Sequence, residues 1–387
     1  MKGHIRERSP GRWAIVIDLP DPETGKRRRK WHSFRGTKRE AQIECSRLIW
    51  EMKGGLYVEP AKMTIRQFLD RWLDHMKSQV APRTHERYSE IALKGLALLL
   101  GDVVLPKLKA LHISAAYSSA LAAGRRDGKS GLSPRTVGHM HRALRQALQQ
   151  AVDWDMLARN PTDKVAPPKV EKQEMRALDV AETAALLEAI RPTRMFIPVL
   201  LAVTCGMRRG EITALKWRSV DFTNALLEVK KSTEQTKAGI REKDTKTGYA
   251  RTVTLTALAV EELRRHKIRQ AEELLRFGVR QTDDFHVTAQ TNGQPLKPNS
   301  LTHEFVRFIA RTKLPRIRFH DLRHTHATQL LKSNVHPKIV QERLGHRDIS
   351  TTLDLYSHVL PGMQDGAAKR VDAALRRALD KHRNAKG

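Results

Sequence analysis

Cysteine is scarce: Cys45 and Cys205 are the only two in 387 residues, which excludes a disulfide framework or a cysteine zinc site by count. Long apolar runs are missing too. The longest, Met195 to Cys205, has 11 residues and contains a proline, well short of the roughly 20 that cross a bilayer, and no secretory n-region and h-region opens the chain. Acidic charge is in deficit, with 42 Asp+Glu against 71 Lys+Arg and a net charge of +29. The excess is spread, +6 over residues 1–60, +9 over 61–170 and +14 over the remainder. Basicity along a whole chain suits a protein that wraps a polyanion rather than one with a single nonspecific arm. A cytoplasmic, nucleoid-associated protein without membrane contact is expected. Length and a hydrophobic content of 40% predict two or three domains with real cores.

In chain order, residues 12–19 and 27–34 read as strands joined by the turn Asp21-Pro22-Glu23-Thr24-Gly25. A helix follows from the capping box Thr37-Lys38-Arg39-Glu40. Gly54-Gly55 through Pro60 reads as a linker, and residues 64 to about 154 are helical in pattern. Phe68, Trp72, Leu73 and Met76 share a stripe, and further helices are expected over Pro82–Leu100 and Pro134–Val152. Residues 159–174, with three prolines and no apolar periodicity, read as a second linker. Asp179 caps a helix to about Ile190. Ala225–Ser232 and Ala250–Leu255 alternate as strands. The fold class is α+β, mostly helical, with boundaries at 1–58 (sheet plus helix), 62–158 (helical) and 175–387 (mixed, with a small antiparallel sheet and a C-terminal helix carrying Val371, Ala374, Leu375 and Ala378 on one stripe).

Three stretches carry chemistry. In Phe319-His320-Asp321-Leu322-Arg323-His324 a helix starting near His320 puts His320, Arg323, His324 and Ala327 on one face. Arg323 also aligns with Ala327, Leu330 and Leu331, and a guanidinium on an apolar stripe is costly unless an anion meets it. In Leu344-Gly345-His346, Gly345 ends a helix, Ser350 caps the next and Tyr356 follows ten residues after His346. In Gly206-Met207-Arg208-Arg209-Gly210-Glu211, two glycines permit a tight helix-to-helix turn that sets Arg208 at a corner, with Glu211 in the following first turn.

The series His-x-x-Arg, Leu-Gly-His and a later Tyr, with Arg-Arg-Gly-Glu upstream, resembles the tyrosine recombinases of the phage-integrase family. The resemblance implies metal-free and cofactor-free phosphoryl transfer in which Tyr356 attacks a DNA phosphate and becomes a 3′-phosphotyrosine. Arg208, Lys246, His320, Arg323 and His346 assist, and Glu211 and Asp321 support them. Lys246 lies in Thr245-Lys246-Thr247-Gly248, which resembles the family's lysine-bearing hairpin; Lys243 is its competitor. Cys205 stands where the family often has threonine, and Thr254 where proline is usual. Residues 1–58 resemble an arm-site-binding domain, with Arg27, Arg28, Arg29 and Lys30 as DNA contacts. Residues 62–158 resemble a core-binding domain, with Arg83, Arg87, Arg135, His141, Arg142 and Arg145 facing phosphates. The implied partners are double-stranded attachment sites, further copies of the chain in a tetramer on DNA, and an excisionase or host DNA-bending factor.

Two other readings compete. His320 and His324 match half of a zinc metalloprotease helix, but Asp321 stands where glutamate is expected and no third ligand motif follows. A DNA-binding regulator without chemistry would explain the basicity, but not Arg208, His320, Arg323, His346 and Tyr356 together.

Overall fold

The computed structural model describes residues 2–20, 27–53, 63–124, 130–171, 175–245, 250–356 and 363–384. The chain divides into two compact units, Met1–Lys172 and Gln173–Gly387.

The first unit holds two separate cores. At the N-terminus, β1 (Lys2–Ser9), β2 (Arg12–Pro20) and β3 (Arg27–Arg35) form an antiparallel sheet in that order, covered on one face by α1 (Lys38–Lys53). Ile15 and Ile17 turn toward Cys45 and Leu48 of the helix. The entry to α1 is the expected box: the Glu40 carboxylate accepts from the Thr37 N–H at 2.8 Å, and the Glu40 N–H donates to Thr37 Oγ1 at 3.3 Å. Strand β1 was not expected, because Ile5 is its only large apolar residue and an edge strand rich in charge carries no alternation to read.

The helical part comprises α2 (Ile65–Gln79), α3 (Pro82–Ile91), a π-turn at Ala92–Leu96 running into α4 (Ala97–Leu100), α5 (Ala110–Ala123) and α6 (Pro134–Asp153). Phe68 and Trp72 are fully buried with Val137, Leu144 and Leu148; each such side chain contributes roughly 1.5–3 kcal/mol. His141 is a correction. It is buried, its Nδ1 lies 3.3 Å from the Tyr117 hydroxyl, and it faces the core rather than a phosphate. The start of the expected 159–174 linker is likewise part of the core. Asn160 donates to the Arg145 carbonyl at 2.9 Å, and Val165 is buried behind a 3-10 turn at Pro161–Lys164. The proline that hid this turn sits at its first position, where no N–H is needed.

The second unit is built on α7 (Val180–Ile190), α8 (Phe196–Cys205) and α9 (Arg209–Ala214). A sheet ordered β4 (Val220–Asp221), β5 (Leu226–Val229), β8 (Arg251–Thr254) follows. The hairpin β6 (Lys231–Thr236) and β7 (Gly239–Asp244) interrupts it in sequence. The expected strand Ala225–Ser232 is therefore two strands. Helices α10 (Ala257–Leu275), α11 (Pro298–Ile309), α12 (Asp321–Lys332), α13 (Pro337–Leu344), α14 (Ile349–Tyr356) and α15 (Met363–Asn384) complete it. Helix α8 is apolar all round because it is the centre of the core, with Leu200, Leu201 and Ala202 wholly buried. On α15, Val371, Leu375 and Leu379 form an exposed stripe.

Candidate active site

Two helix ends define the site. Helices α8 and α13 each stop at a glycine in the left-handed conformation, Gly206 (φ 64°) and Gly345 (φ 65°). Helix C-termini leave carbonyls without intrahelical partners and carry partial negative charge. Here arginines take up those carbonyls. Arg323 of α12 donates from Nη1 to the Gly206 carbonyl at 2.5 Å and from Nη2 to the Leu344 carbonyl at 2.6 Å. Arg208 donates from Nη2 to the Gly345 carbonyl at 3.1 Å, and Arg343 from Nη2 to the Thr204 carbonyl at 2.9 Å. A Cβ at Gly206 would lie 2.6 Å from Leu344 Cδ2 and 2.7 Å from His326 Cδ2, so the positive φ and the close approach both require glycine. Gly210 serves differently from the turn expected of it. It lies inside α9, where a Cβ would meet Ser232 Oγ at 2.5 Å and the Thr233 carbonyl at 2.6 Å, so its bare backbone lets β6 rest on the helix.

Carbonyls orient these guanidiniums without neutralising them. The carboxylate among them is Glu211, only 2% exposed. Its oxygens accept from the Arg208 N–H at 2.9 Å and Nη1 at 2.8 Å, and from Arg251 Nη1 at 3.0 Å and Nη2 at 2.6 Å. Burial would raise its pKa, but the Arg251 hydrogen bonds and the charges of Arg251 and Arg208 outweigh it and hold the pKa near 2. Arg323 is 3% exposed and pairs with no carboxylate among the described residues. Burial, then the charge of Arg208, pushes it down to about 9, so it stays charged at neutral pH. Asp321 is occupied by Arg318, at 2.7 Å from Nη2, and accepts the Arg318 N–H at 2.8 Å. It secures the entry to α12 and leaves Arg323 unneutralised.

The histidines are kept neutral. Burial and the Arg323 and Arg208 charges push His346 down to about 3, and its Nδ1 lies 2.9 Å from the buried Thr352 hydroxyl on α14. His320, next before α12, keeps an open face to solvent. Packing around its ring, then His324, Arg323 and Arg208, lowers its pKa as well. The His320 and His324 rings meet edge-on at 5.1 Å. Behind them, His326 Nε2 accepts from Arg343 Nε at 3.0 Å, so the ring proton is on Nδ1, which donates to the Val203 carbonyl at 2.8 Å.

The structure thus brings Arg208, Glu211, Arg323 and His346 into one cluster, with His320 at its rim. Tyr356 is the last residue of α14, and its side chain lies outside the described residues, as does all of Lys246. The competitor Lys243 is ion-paired to Glu234. Arg251, Arg343 and Thr352 escaped the sequence reading. For Arg251 a signal existed: it lies two residues before the buried Val253 on one strand, and so on the same inward face.

Several guanidiniums around one shared carboxylate, with two neutral histidines, have the chemistry to hold an oxyanion such as a phosphate. The fold and this cluster define an oxyanion-binding site of the kind a phosphoryl-transfer protein needs. Residues 171–362 match the phage integrase family. A tyrosine recombinase XerC-like protein of Caldanaerobacter subterraneus subsp. tengcongensis is 28% identical over 384 residues, covering 93% of this chain and 95% of that one. The Tn1549 transposon integrase in complex with transposon right end DNA has a similar fold (TM-score 0.67, 19% identity, 80% of this chain and 100% of that one). So has a lambda integrase dimer bound to a COC' core site (TM-score 0.57, 20% identity, 91% and 93%). Residues 171–362 thus form a phage integrase domain, which makes the chain a tyrosine recombinase, one of the enzymes that cut and rejoin DNA at specific sites.

No helix among the described residues is long and apolar enough to cross a membrane, and none of their His, Cys, Asp and Glu side chains form a three-residue metal cluster.

Proposed function

We propose that this chain integrates or excises a phage or other mobile element through a covalent 3′-phosphotyrosyl intermediate on Tyr356. The observation that carries this reading is Arg323, a buried guanidinium aimed by two helix ends and paired with no carboxylate among the described residues. The Tyr356 oxygen forms a bond to the scissile phosphorus, and the 5′-oxygen leaves. The phosphodiester energy is kept in the new ester for religation, with no nucleotide consumed. Arg208 and Arg323 hold the non-bridging oxygens. A Thr352 hydroxyl that donates to His346 Nδ1 leaves the ring proton on Nε2, where it serves the same oxygens. His320, kept neutral by burial of its ring and then by its cationic neighbours, takes the tyrosine proton, and Lys246 returns one to the leaving oxygen. Permanently charged arginines supply the electrostatics, so cleavage of a core site is expected to run at full rate in excess chelator. A requirement for added Mg²⁺ or Zn²⁺ would contradict that.

DNA binding draws on both units. In the N-terminal sheet, the face away from α1 carries His4, Arg6, Arg12, Arg29, Trp31 and Arg35 against one acid, Asp18. Arg29 pairs with that Asp18 at 3.3 Å, and Arg8 stacks 5.5 Å over Trp31. The side chains of Arg27, Arg28 and Lys30 lie outside the described residues; in register, Lys30 pairs with Ile17, a position of the α1 side. In the helical part, Arg83 pairs with Glu86 (2.9 Å), Arg87 with Glu90 (3.3 Å), Arg145 with Asp163 (2.9 Å), and Arg142 meets His139 (2.7 Å). These are exposed contacts of little net strength that a phosphate can replace. With Arg135 they form the proposed core-site surface. The chain is read as working as a tetramer on its attachment sites, with the α15 stripe docking on its own domain or on another copy and an excisionase or host bending factor setting direction.

If residues 1–58 bind a separate arm site, their deletion should leave cleavage of an isolated core site nearly intact. Recombination between full attachment sites should be lost, because bridging needs two modules on one chain. Each phosphate contact removed lowers the log–log salt slope by roughly 0.9, so truncation should flatten that slope on long attachment DNA. An unchanged footprint would assign the domain another role.

A further inference from the structure

Arg251 lies on β8, and its hydrogen bonds all run to protein acceptors. Nη1 and Nη2 clamp the two oxygens of Glu211 at 3.0 and 2.6 Å, and Nε donates to the Arg343 carbonyl at 3.0 Å in the last turn of α13. Its side chain is 10% exposed. Gly345 leaves room for it, since a Cβ there would come within 3.0 Å of Arg251 Cδ. Arg208 and Arg323 differ: in each, Nε has no partner among the described residues. All three nitrogens of Arg251 are thus engaged inside the protein, whereas Arg208 and Arg323 each keep Nε for a ligand.

We propose that Arg251 is a positioning residue for strand cleavage: by gripping Glu211 it fixes the carboxylate that orients Arg208, and by gripping the Arg343 carbonyl it fixes the helix end that orients both Arg208 and Arg323. The inference rests on the phosphotyrosyl reading above. Glu211 is nearly inaccessible and shared between two arginines. If Arg208 alone remained, its Nη1 and backbone N–H would still bind the carboxylate, but one half of the bidentate brace would be gone. A bidentate guanidinium fixes carboxylate geometry in a way a lysine ammonium cannot. A strand, α9 and the α13–α14 junction are thereby joined through one side chain. The placement of the phosphate-holding groups depends on that joint, and positioning errors of this kind are costly to rate.

The experiment is single-turnover cleavage of a suicide core site by the full chain, with affinity for the same site measured alongside. R251A is expected to lower the cleavage rate roughly 10–100-fold, the range that supporting partners of a reactive group command, with core-site affinity and its salt slope unchanged. R251K should recover little of the rate, and added methylguanidinium should recover part of it in R251A. In the background of R251A, R208A should cost several-fold less than it does in the wild-type chain, because the two act through one carboxylate. If R251A does not fold, R251Q and R251K carry the same comparisons. Wild-type cleavage by a folded R251 variant, fully additive losses with R208A, or a salt slope lower by roughly 0.9, the mark of a direct phosphate contact, would each overturn the proposal. A wild-type chain that forms no covalent adduct would instead sink the phosphotyrosyl reading itself, so the two failures are distinguishable.

Discussion

Tyr356→Phe is expected to bind a core site with wild-type affinity and to form no covalent protein–DNA adduct on a suicide substrate. The substitution removes one oxygen, the atom that would attack phosphorus, and keeps the ring. Tyr356 closes α14, the helix whose Thr352 is wholly buried and holds His346 Nδ1 at 2.9 Å. The proposed nucleophile is therefore carried on an element tied to the proposed phosphate pocket four residues earlier, about one helical turn. An unperturbed tyrosine has a pKa of about 10, so proton removal must accompany attack, and the neutral His320 beside the cluster is suited to it. Adduct formed by the phenylalanine variant at any appreciable yield would assign the nucleophile elsewhere.

Arg323→Ala is expected to lower single-turnover cleavage by ~10²-fold or more, which is what loss of one preorganised oxyanion donor commonly costs. Arg208→Ala should fall in the same range. Arg323 should tolerate lysine poorly, because an ammonium cannot bridge the Gly206 and Leu344 carbonyls and still present a fixed donor to a ligand. Core-site affinity should change far less, since many phosphates contribute to binding and only one is attacked. A near-normal rate in a folded Arg323→Ala chain would reduce that arginine to a brace between α8 and α13.

Much of this site was legible in the sequence because its spacing reports local geometry. His320 and Arg323 fall one turn apart, Gly206 and Gly345 terminate helices, and Glu211 sits in the first turn after Arg208, so each position follows from helix periodicity and glycine's freedom. What was not legible depends on long-range approach. Nothing near Arg251 announces that β8 will pass beneath the end of α13, more than ninety residues away. Nor does Arg343 announce that its partners are His326 and the Thr204 carbonyl. That Arg323 calls for an anionic ligand was legible from its place on an apolar stripe. The two helix ends that hold it were not.

The same division runs through the fold. Amphipathic helices such as α6, with Val137, Met140, Leu144, Leu148 and Ala151 buried at helical spacing, were read to within a residue of their ends. The polar hairpin β6–β7 was missed because Lys231–Asp244 has almost no apolar alternation. It is held instead by contacts to α9 and α11, including the Asn299 N–H on Gln235 Oε1 at 3.1 Å. The turn at Pro161–Lys164 was missed because proline and charge read as linker until Asn160 and Val165 are seen buried.

The most direct test of the account is to trap the wild-type chain on a nicked core-site substrate, digest the adduct with protease and nuclease, and locate the residual nucleotide by mass spectrometry. The account predicts a nucleotide joined through its 3′-phosphate to the peptide containing Tyr356, with a free 5′-hydroxyl on the released strand. A nucleotide on any other side chain, or a 5′-phosphate linkage to protein, would contradict it.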